Sequence, residues 1–264
     1  MYDVTRSLPM IPDKRLIRLR FEQAAATYEQ EATVQARVAT RLLNLLREAV
    51  PDLRPADVLE IGCCTGLLTE KTLSRFPGID HFTLCDLVAS FEQRVCRRIG
   101  IHADKITFLA GDIETLPLPD RYDLVISSST LHWVHDLPAL CGKFHRHLYP
   151  EGVLAFSLYG KENLHEIREV TGMGLAYRTL AQLRTVLGER FHILAAEEAR
   201  ETLWYPTPLA VLQHLRATGV NSIGQQAWTR RQVMDFAASY QERFAGDQGV
   251  RLTYHPMFIV ARPR

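Results

Sequence analysis

Apolar residues recur along this chain in two alternating patterns, one typical of strands and one typical of helices. Strands are predicted where short apolar runs end at turn residues, over residues 57–63, 81–87, 106–111, 122–127 and 152–158. Helices are predicted where apolar residues recur every three or four positions, over residues 67–76, 90–99 and 137–148. Strands that are apolar on both faces and alternate with helices predict an α/β fold, a doubly wound, Rossmann-like, mostly parallel sheet.

The segments that flank this core are predicted to be mainly helical. One helix is expected over residues 20–50, where apolar residues recur at helical spacing, and helical signals continue through residues 161–200. Further helices are expected over residues 208–218 and 229–244, and two late strands near residues 201–205 and 252–261 should complete a seven-stranded sheet. We therefore expect a single domain with a helical cap (1–50), a ligand-binding core (51–160), a mainly helical insertion that covers the active site (161–228) and a closing helix and strand (229–264).

Composition narrows the range of partners and compartments. The 264 residues are 47% hydrophobic, which is enough to bury a substantial core. Lys and Arg total 31 against 30 Asp and Glu, so the net charge gives no general attraction to nucleic acid or an anionic membrane, and neither partner is expected. The five cysteines follow no spaced disulfide framework, and no secretion signal or long apolar run is visible. A cytoplasmic monomer is the simplest expectation.

The clearest local motif is the turn Glu60-Ile-Gly62-Cys-Cys64-Thr-Gly66 between the first strand and its helix. Glycines at such a turn permit positive φ and let a ligand approach the backbone, and the helix N-terminus adds unpaired N–H groups. The spacing matches neither a phosphate-binding loop nor a full dinucleotide fingerprint. Alone, the turn is equally well explained by packing.

Two acids at later strand ends strengthen this interpretation. Asp86 ends the second strand, where a carboxylate can accept hydrogen bonds from a ribose diol, and Asp112 follows the third. There it could accept from an exocyclic amine while its neighbour Ile113 covers a purine. Each acid taken alone is better explained as a solvated loop residue or a helix cap. Together with Glu60 they surround the crevice at which such sheets bind ligands.

With this loop and these acids the chain resembles the class I S-adenosylmethionine-dependent methyltransferases over residues 57–159. It is more narrowly similar to the malonyl-acyl-carrier-protein O-methyltransferases of biotin synthesis. The segments that carry the narrower likeness span nearly the whole chain: Phe21-Glu-Gln-Ala-Ala-Ala-Thr-Tyr28, Gln35, residues 123–133 (DLVISSSTLHW), 202–205 (TLWY), 214–221 (HLRATGVN) and 252–254 (LTY). The glycine turn is shared by many methyltransferases and does not indicate the methyl acceptor. The segment Thr218-Gly-Val-Asn221 is far more specific to the narrower family.

The resemblance implies S-adenosylmethionine as cofactor and assigns roles to individual residues. Asp86 would hold the ribose, Asp112 the adenine and Glu60 the methionine side. Cys64 departs from the family pattern, since a glycine is usual there, and its side chain could crowd the cofactor. The full set expected at the cofactor is Tyr28, Gln35, Glu60, Gly62, Cys64, Gly66, Asp86, Leu87, Asp112, Ile113 and Ser128.

The expected acceptor is a carboxylate, which is already ionised at neutral pH and needs no general base. Tyr28, His132 and Trp133 are therefore expected to position the reactants, and no residue is assigned as a catalytic base. Ser127, Ser128 and Ser129 lack the hydrolase elbow motif, and the adjacent Cys63 and Cys64 have poor spacing for a metal, so no metal is expected.

A malonyl carboxylate favours an arginine, because a guanidinium holds two oxygens in a fixed fork. Arg168 is the first choice because it closely follows the fifth strand, ahead of Arg178, Arg184 and Arg216. Most of these arginines should simply be solvated. The residues expected to bind the acceptor are Trp133, Tyr159, Arg168, Arg216 and Asn221.

The expected partner is a malonyl-loaded acyl-carrier protein, whose acidic helices would be attracted by local positive charge. Candidate clusters are Lys14, Arg15, Arg18 and Arg20, and Arg216 with Arg230 and Arg231, although such charges are more commonly a solvated helix face. Two alternatives stay open. One is a methyltransferase for a small free carboxylic acid or a quinone precursor, and the other is a non-catalytic module that binds the cofactor or the carrier protein.

Overall fold

The computed structural model describes residues 11–119, 121–220 and 228–264. Their contacts divide them into two units. The first contains the described residues of Met1–Glu31, Tyr159–Arg178 and Ala199–His255, and the second contains those of Ala32–Leu158, Thr179–Glu198 and Pro256–Arg264. The single-domain organisation with boundaries at residues 50, 160 and 228 stays a prediction.

The second unit is built around a seven-stranded sheet in the order β3-β2-β1-β4-β5-β10-β6. Neighbouring strands from β3 to β5 are parallel, and β10 runs antiparallel to β6. This arrangement confirms the prediction of a doubly wound, mostly parallel seven-stranded sheet. The strands are β1 (Asp57–Ile61), β2 (His81–Asp86), β3 (Ile106–Ala110), β4 (Tyr122–Ser127), β5 (Leu148–Tyr159), β6 (Phe191–Glu198) and β10 (Pro256–Pro263).

Helices of the second unit pack on this sheet because their apolar faces are buried. Val38, Leu42 and Leu46 line one side of α3, and Phe144 of α6 is fully buried. Side chains of the central strands, such as Leu59 and Val125, belong to the same buried set. The helices are α3 (Thr33–Ala49), α4 (Leu67–Arg75), α5 (Phe91–Ile99), α6 (Leu137–His147) and α8 (Leu180–Gly188), with short 3-10 helices at Gly100–Lys105 and Leu131–Trp133.

The first unit combines helices with a small antiparallel sheet in the order β7-β9-β8. Its strands are β7 (Glu201–Tyr205), β8 (Ala245–Gly246) and β9 (Gly249–Tyr254), and its helices are α1 (Lys14–Ala24), α2 (Tyr28–Glu31), α7 (His165–Thr171), α9 (Pro208–Ala217) and α10 (Arg230–Phe244). Both α1 and α2 pack against α9. Within the three described stretches of the chain, no helix is both long enough and apolar enough to cross a membrane.

The prediction of continuous helical structure over residues 161–200 was wrong for its last part. Residues 191–198 form β6, which pairs with β10 at one edge of the large sheet. Phe191 and Ile193 lie towards the interior while His192 and Leu194 are exposed. This alternation is the strand period, and a short run with Ala195 and Ala196 hides it among helix-favouring residues.

The two late strands also differ from the prediction. Residues 201–205 do not join the large sheet, because they pair with β9. The single strand expected over 252–261 is divided at His255, whose N–H donates to the side chain of Asn163 (3.2 Å) and whose carbonyl accepts from Gly160 (2.8 Å). These bonds remove His255 from either ladder, so β9 and β10 belong to different sheets.

The helix expected over residues 20–50 is three helices, α1, α2 and α3. The first interruption lies at Thr27, whose hydroxyl donates to the carbonyls of Ala24 (3.1 Å) and Ala217 (3.0 Å). A threonine side chain that bonds nearby carbonyls offers the backbone an alternative to continuous helix.

Candidate functional site

Four residues of the predicted site lie at one edge of the large sheet. Gly62, Asp112 and Ser128 follow the carboxyl ends of β1, β3 and β4, Asp86 is the last residue of β2, and neighbouring strands of this set are parallel. Gly62 N–H donates to the carbonyl of Cys85 (2.7 Å), and Gly111 N–H donates to that of Asp86 (2.8 Å). The turns after β1, β2 and β3 are therefore joined by backbone hydrogen bonds.

The glycines of the turn after β1 are required by conformation and by space. Gly62 has φ of +73°, and a Cβ there would lie 2.1 Å from Thr130 Oγ1. Gly66, which begins α4, has φ of +86°, and its Cβ would lie 3.3 Å from the Cα of Val95. Side chains are unfavourable at such φ values, so these glycines set the path of the turn.

Cys64 adopts a conformation in which glycine is usually found. Its φ is +48°, in the left-handed region. Its N–H donates to Asp86 Oδ2 at 2.9 Å, so the turn after β1 is fixed to the acid at the end of β2. The thiol-bearing side chain is half-buried. The turn therefore keeps its left-handed geometry despite the cysteine.

Cys64→Gly should bind S-adenosylmethionine at least as tightly as the wild-type protein and should raise its free energy of unfolding by no more than about 1.5 kcal/mol. Relief of the left-handed conformation contributes ~1–2 kcal/mol, and the greater freedom of glycine in the unfolded chain offsets ~0.5–1 kcal/mol. Calorimetric titration and urea denaturation would measure the two effects. A marked loss of affinity would show that the turn depends on the cysteine side chain.

Asp86 is positioned to accept hydrogen bonds from a ligand. Its Oδ1 accepts from the N–H of Val88 (2.9 Å) and its Oδ2 from the N–H of Cys64. Burial raises the pKa of Asp86 to about 6, and the backbone donors act in the opposite direction. An ionised carboxylate has more acceptor sites than these two bonds use, so both oxygens keep capacity for the hydroxyls of a diol.

Glu60 and Gln35 carry buried oxygens that lack a hydrogen-bond partner among the described residues. Neither Glu60 carboxylate oxygen has a partner, nor does Oε1 of Gln35 on α3, and both side chains are almost fully buried. Burial raises the pKa of Glu60 to about 8, and the nearby Asp86 carboxyl acts in the same direction. Buried polar atoms are normally paired. Unpaired acceptors here fit a ligand that brings donors, such as the amino group of S-adenosylmethionine.

The turn after β3 presents an acid beside an apolar side chain. Asp112 Oδ1 accepts from the N–H of Glu114 (3.0 Å), and the Asp112 carbonyl accepts from Leu116 (2.7 Å). Asp112 is half-buried, whereas Ile113 is buried. An acceptor next to an apolar surface suits the amine and the face of a purine. Leu87, after β2, is half-buried.

The segment after β4 carries Ser128, His132 and Trp133. Ser128 Oγ lies 3.1 Å from Ser157 Oγ, and the next residue, Ser129, has φ of +56°. The rings of His132 and Trp133 are 4.8 Å apart. Burial lowers the pKa of His132 to about 3, so its imidazole is neutral at physiological pH. Ser128, His132 and Trp133 belong to the second unit, as do Gly62, Asp86 and Asp112.

Arg168 and Arg216 belong to the first unit. The Arg168 guanidinium donates to the carbonyls of Lys161 (2.7 Å) and Asn163 (3.4 Å). Arg216 lies on α9 and is exposed. Their role in binding the acceptor stays a prediction.

Two tyrosines of the predicted site also belong to the first unit. Tyr28 is buried with its ring 6.2 Å from that of Phe21, and Tyr159 is buried with its ring 5.8 Å from that of Tyr254. Asn221 lies outside the described residues. The contacts predicted for these three residues with cofactor or acceptor stay predictions.

Three residues that the sequence did not single out as site residues shape this edge. Thr130 occupies the space beside Gly62, and Glu114 and Lys143 connect the turn after β3 to the segment after β4. Thr130 lies within the 123–133 motif, which is the only sequence signal for it. Glu114 and Lys143 have no local signal, because their partners are distant in the chain.

Comparison with known proteins identifies the class and then the family. The domain model described as "Methyltransferase domain" matches residues 59–156. The solved structure of a putative methyltransferase from Bacillus halodurans C-125 shares the fold, with a TM-score of 0.60, 16% identity and coverage of 84% of this chain and 98% of that chain. The chain thus has a methyltransferase fold, with a glycine turn and ordered acids at one edge of its sheet.

Relatives align over almost the whole chain. Malonyl-(acyl-carrier protein) O-methyltransferase of Chlorobium phaeovibrioides is 38% identical over 258 residues, which cover 96% of this chain and 98% of the relative. The enzyme of that name from Bacteroides thetaiotaomicron is 36% identical over 262 residues, which cover 96% and 99%. The chain belongs to the malonyl-(acyl-carrier protein) O-methyltransferase family.

Proposed function

We propose that this protein transfers the methyl group of S-adenosylmethionine to the free carboxylate of a malonyl thioester held by acyl-carrier protein. The product is the methyl ester that enters biotin synthesis, and the reaction takes place in the cytoplasm. The observation that carries the proposal is identity of 36–38% to enzymes of that name over 96% of the chain. The likeness thus extends beyond the general cofactor-binding core.

The residues of the second unit would hold the cofactor. Asp86 would accept from the ribose hydroxyls, Asp112 and Ile113 would contact the adenine, and the unpaired oxygens of Glu60 and Gln35 would face the methionine side. When bound, S-adenosylmethionine supplies a methyl group on a positively charged sulfur, and its transfer to a carboxylate neutralises both charges without a proton transfer. The residues around the cofactor therefore need to accept its hydrogen bonds and to match its shape, and the reaction needs no catalytic base.

The residues around the acceptor promote the reaction by orienting the reactants and by excluding water. His132 is neutral and a weak base, which suits a wall of the acceptor channel beside Trp133 better than proton transfer. In the first unit, Arg168 keeps N–H donors beyond its two carbonyl bonds, and these suit a malonyl carboxylate. Tyr159, Arg216 and Asn221 complete the proposed acceptor set.

A methyl-transfer assay that compares malonyl-carrier protein, malonyl-coenzyme A and free malonate tests this function. We expect the highest kcat/KM with malonyl-carrier protein and the lowest with free malonate, because the carrier adds contacts that orient the carboxylate. Equal rates with free malonate and with the carrier would favour a methyltransferase for small free acids. Binding of S-adenosylhomocysteine without turnover of any acceptor would favour a non-catalytic module.

The carrier protein is proposed to dock on α1. Arg15 and Arg18 are exposed on this helix, and Leu19 beside them is 49% exposed. α1 packs on α9, which carries the exposed Arg216. Arg20 is less suited, since its side chain is half-buried and less accessible to a partner. A surface with cations around an aliphatic side chain suits the acidic, amphipathic helices of a carrier protein.

Arg15→Glu/Arg18→Glu should raise the KM for malonyl-carrier protein about fivefold or more while leaving the KM for malonyl-coenzyme A nearly unchanged. The difference should shrink at high salt, because exposed charges are screened. Arg97→Glu/Arg121→Glu changes the net charge equally at two exposed positions of the second unit and is the matched control. If both acceptors respond alike to the α1 reversal, or the control has the same effect, α1 is not the docking surface.

A further inference from the structure

Two charged side chains connect the turn that carries Asp112 and Ile113 to the segment that carries Trp133. One is Glu114, within the turn itself, and the other is Lys143, on α6. All of these residues belong to the second unit. Glu114 of the turn contacts the residues just before α6, whereas Lys143 of α6 contacts the turn.

Glu114 fixes the start of α6. Its Oε2 accepts from the N–H of His135 (3.0 Å) and its Oε1 from the N–H of Asp136 (2.7 Å). Asp136 is the N-cap of α6 and accepts from the N–H of Ala139 (2.9 Å). A carboxylate at a helix N-terminus is stabilised by the unpaired N–H groups and by the helix dipole. Trp133 lies two residues before His135, so the same carboxylate restrains the segment that holds it.

Lys143 fixes the turn from the other side. Its ammonium donates to the carbonyl of Ile113 (2.7 Å) and also to the carbonyl of Leu116. Burial lowers the pKa of Lys143, while the nearby Asp112 raises it. An ammonium that is half-buried and bonded to two carbonyls holds the turn over residues 112–116 against α6. Loss of Lys143 leaves two partly buried carbonyls without this hydrogen bond, and loss of the Glu114 carboxylate leaves the first N–H groups of the α6 cap without their acceptor.

We propose that Glu114 and Lys143 are positioning residues that couple the turn over residues 112–116, where the adenine would bind, to Trp133. Cofactor binding then sets the position of Trp133 at the acceptor. This inference rests on the proposed function for the role of Trp133 at the acceptor. The coupling itself is a property of the second unit alone. Neither residue contacts the reacting atoms in this scheme, and each acts through the backbone that it holds.

Binding of S-adenosylhomocysteine and the solvent access of Trp133 can be measured on one protein. Trp204→Phe/Trp228→Phe leaves Trp133 as the single tryptophan, since the chain has three. In this background, Glu114→Gln and Lys143→Met should each weaken S-adenosylhomocysteine binding about tenfold in calorimetry, because the turn that carries Asp112 and Ile113 is then less firmly fixed before the ligand binds. Both should also increase acrylamide quenching of Trp133 and reduce the protection from quenching that the ligand gives. Circular dichroism checks that each variant is folded.

The controls separate coupling from general damage. Glu92→Gln removes an exposed carboxylate on α5 and should change neither readout. Lys143→Arg keeps a cation with several donors, so it should retain part of the ligand affinity and part of the protection of Trp133 from quenching. The double variant should bind S-adenosylhomocysteine only slightly less tightly than the weaker-binding single variant, because both groups hold the same two segments.

Weaker ligand binding with unchanged Trp133 quenching would overturn the coupling, and unchanged binding within twofold would overturn the positioning role. The outcome does not depend on the acceptor. Failure to methylate malonyl-carrier protein, with both readouts as expected, would count against the proposed function and not against the coupling.

Discussion

Gly62→Ala should abolish measurable binding of S-adenosylmethionine. The added Cβ would lie 2.1 Å from Thr130 Oγ1, 2.5 Å from its Cγ2 and 2.7 Å from its Cβ, so rotation of the Thr130 side chain cannot relieve the contact. Thr130 is itself held, since its hydroxyl donates to the carbonyl of Ser128 at 3.1 Å. The φ of +73° adds ~1–2 kcal/mol of conformational strain and the contact adds ~1–3 kcal/mol. The turn must move, and with it the N–H of Cys64 that bonds Asp86.

Calorimetry with S-adenosylhomocysteine measures this effect, and thermal unfolding shows whether the variant is folded. Gly78→Ala is the matched control, because a Cβ at Gly78 meets nothing within 4 Å. Gly62→Ala/Thr130→Gly removes the contacting side chain and should recover part of the affinity, since only the strain of the positive φ then remains. Wild-type affinity in the single variant would show that the turn does not form the cofactor site.

Asp86→Ala should weaken S-adenosylmethionine binding by about a hundredfold or more. A hydrogen bond to a charged group contributes ~1.5–3 kcal/mol, and the change removes both the ribose contacts and the acceptor for Cys64. The stability of the ligand-free protein should change little near pH 7. The raised pKa means that the ionised carboxyl is disfavoured in the folded state, and its removal relieves that cost while two backbone bonds are lost.

The pH dependence distinguishes this role from a structural one. The folded-state pKa of Asp86 is about 6, so its carboxylate gains a proton as the pH falls through 6. A protonated carboxyl is a poorer acceptor, and wild-type affinity should decline below that pH. In Asp86→Asn, affinity should be low and nearly independent of pH between about 5 and 6.5, where Glu60, with a pKa of about 8, stays protonated. If the variant keeps the wild-type pH profile, another group controls binding.

The sheet edge that carries the candidate cofactor site could be predicted from sequence because it depends on local features. Each of the strands β1 to β4 is a short apolar run that ends at glycine, acid or serine, and parallel strands bring these ends to one edge. The strands therefore begin and end within a few residues of the prediction. Gly62 and Asp86 were identified by their positions at those ends, without knowledge of their contacts.

Contacts between distant segments could not be predicted in this way. β6 resembles a helix by composition, and its pairing with β10 decides its structure. The division at His255 depends on Asn163, which is remote in sequence. Glu114 and Lys143 look like ordinary surface charges until α6 packs beside the turn after β3. Such features follow from tertiary packing, which overrides local preference.

The order of strands in the large sheet differs from the order in which a ribosome makes them. β10, the last described strand, lies between β5 and β6, both of which are synthesised earlier. Until residues 256–263 emerge, β6 has no neighbour in the sheet and one side of β5 is unpaired, which exposes strand edges that can pair with other chains. Final assembly of the sheet therefore follows synthesis of its last strand, and a newly made chain depends on rapid insertion of β10 to escape aggregation.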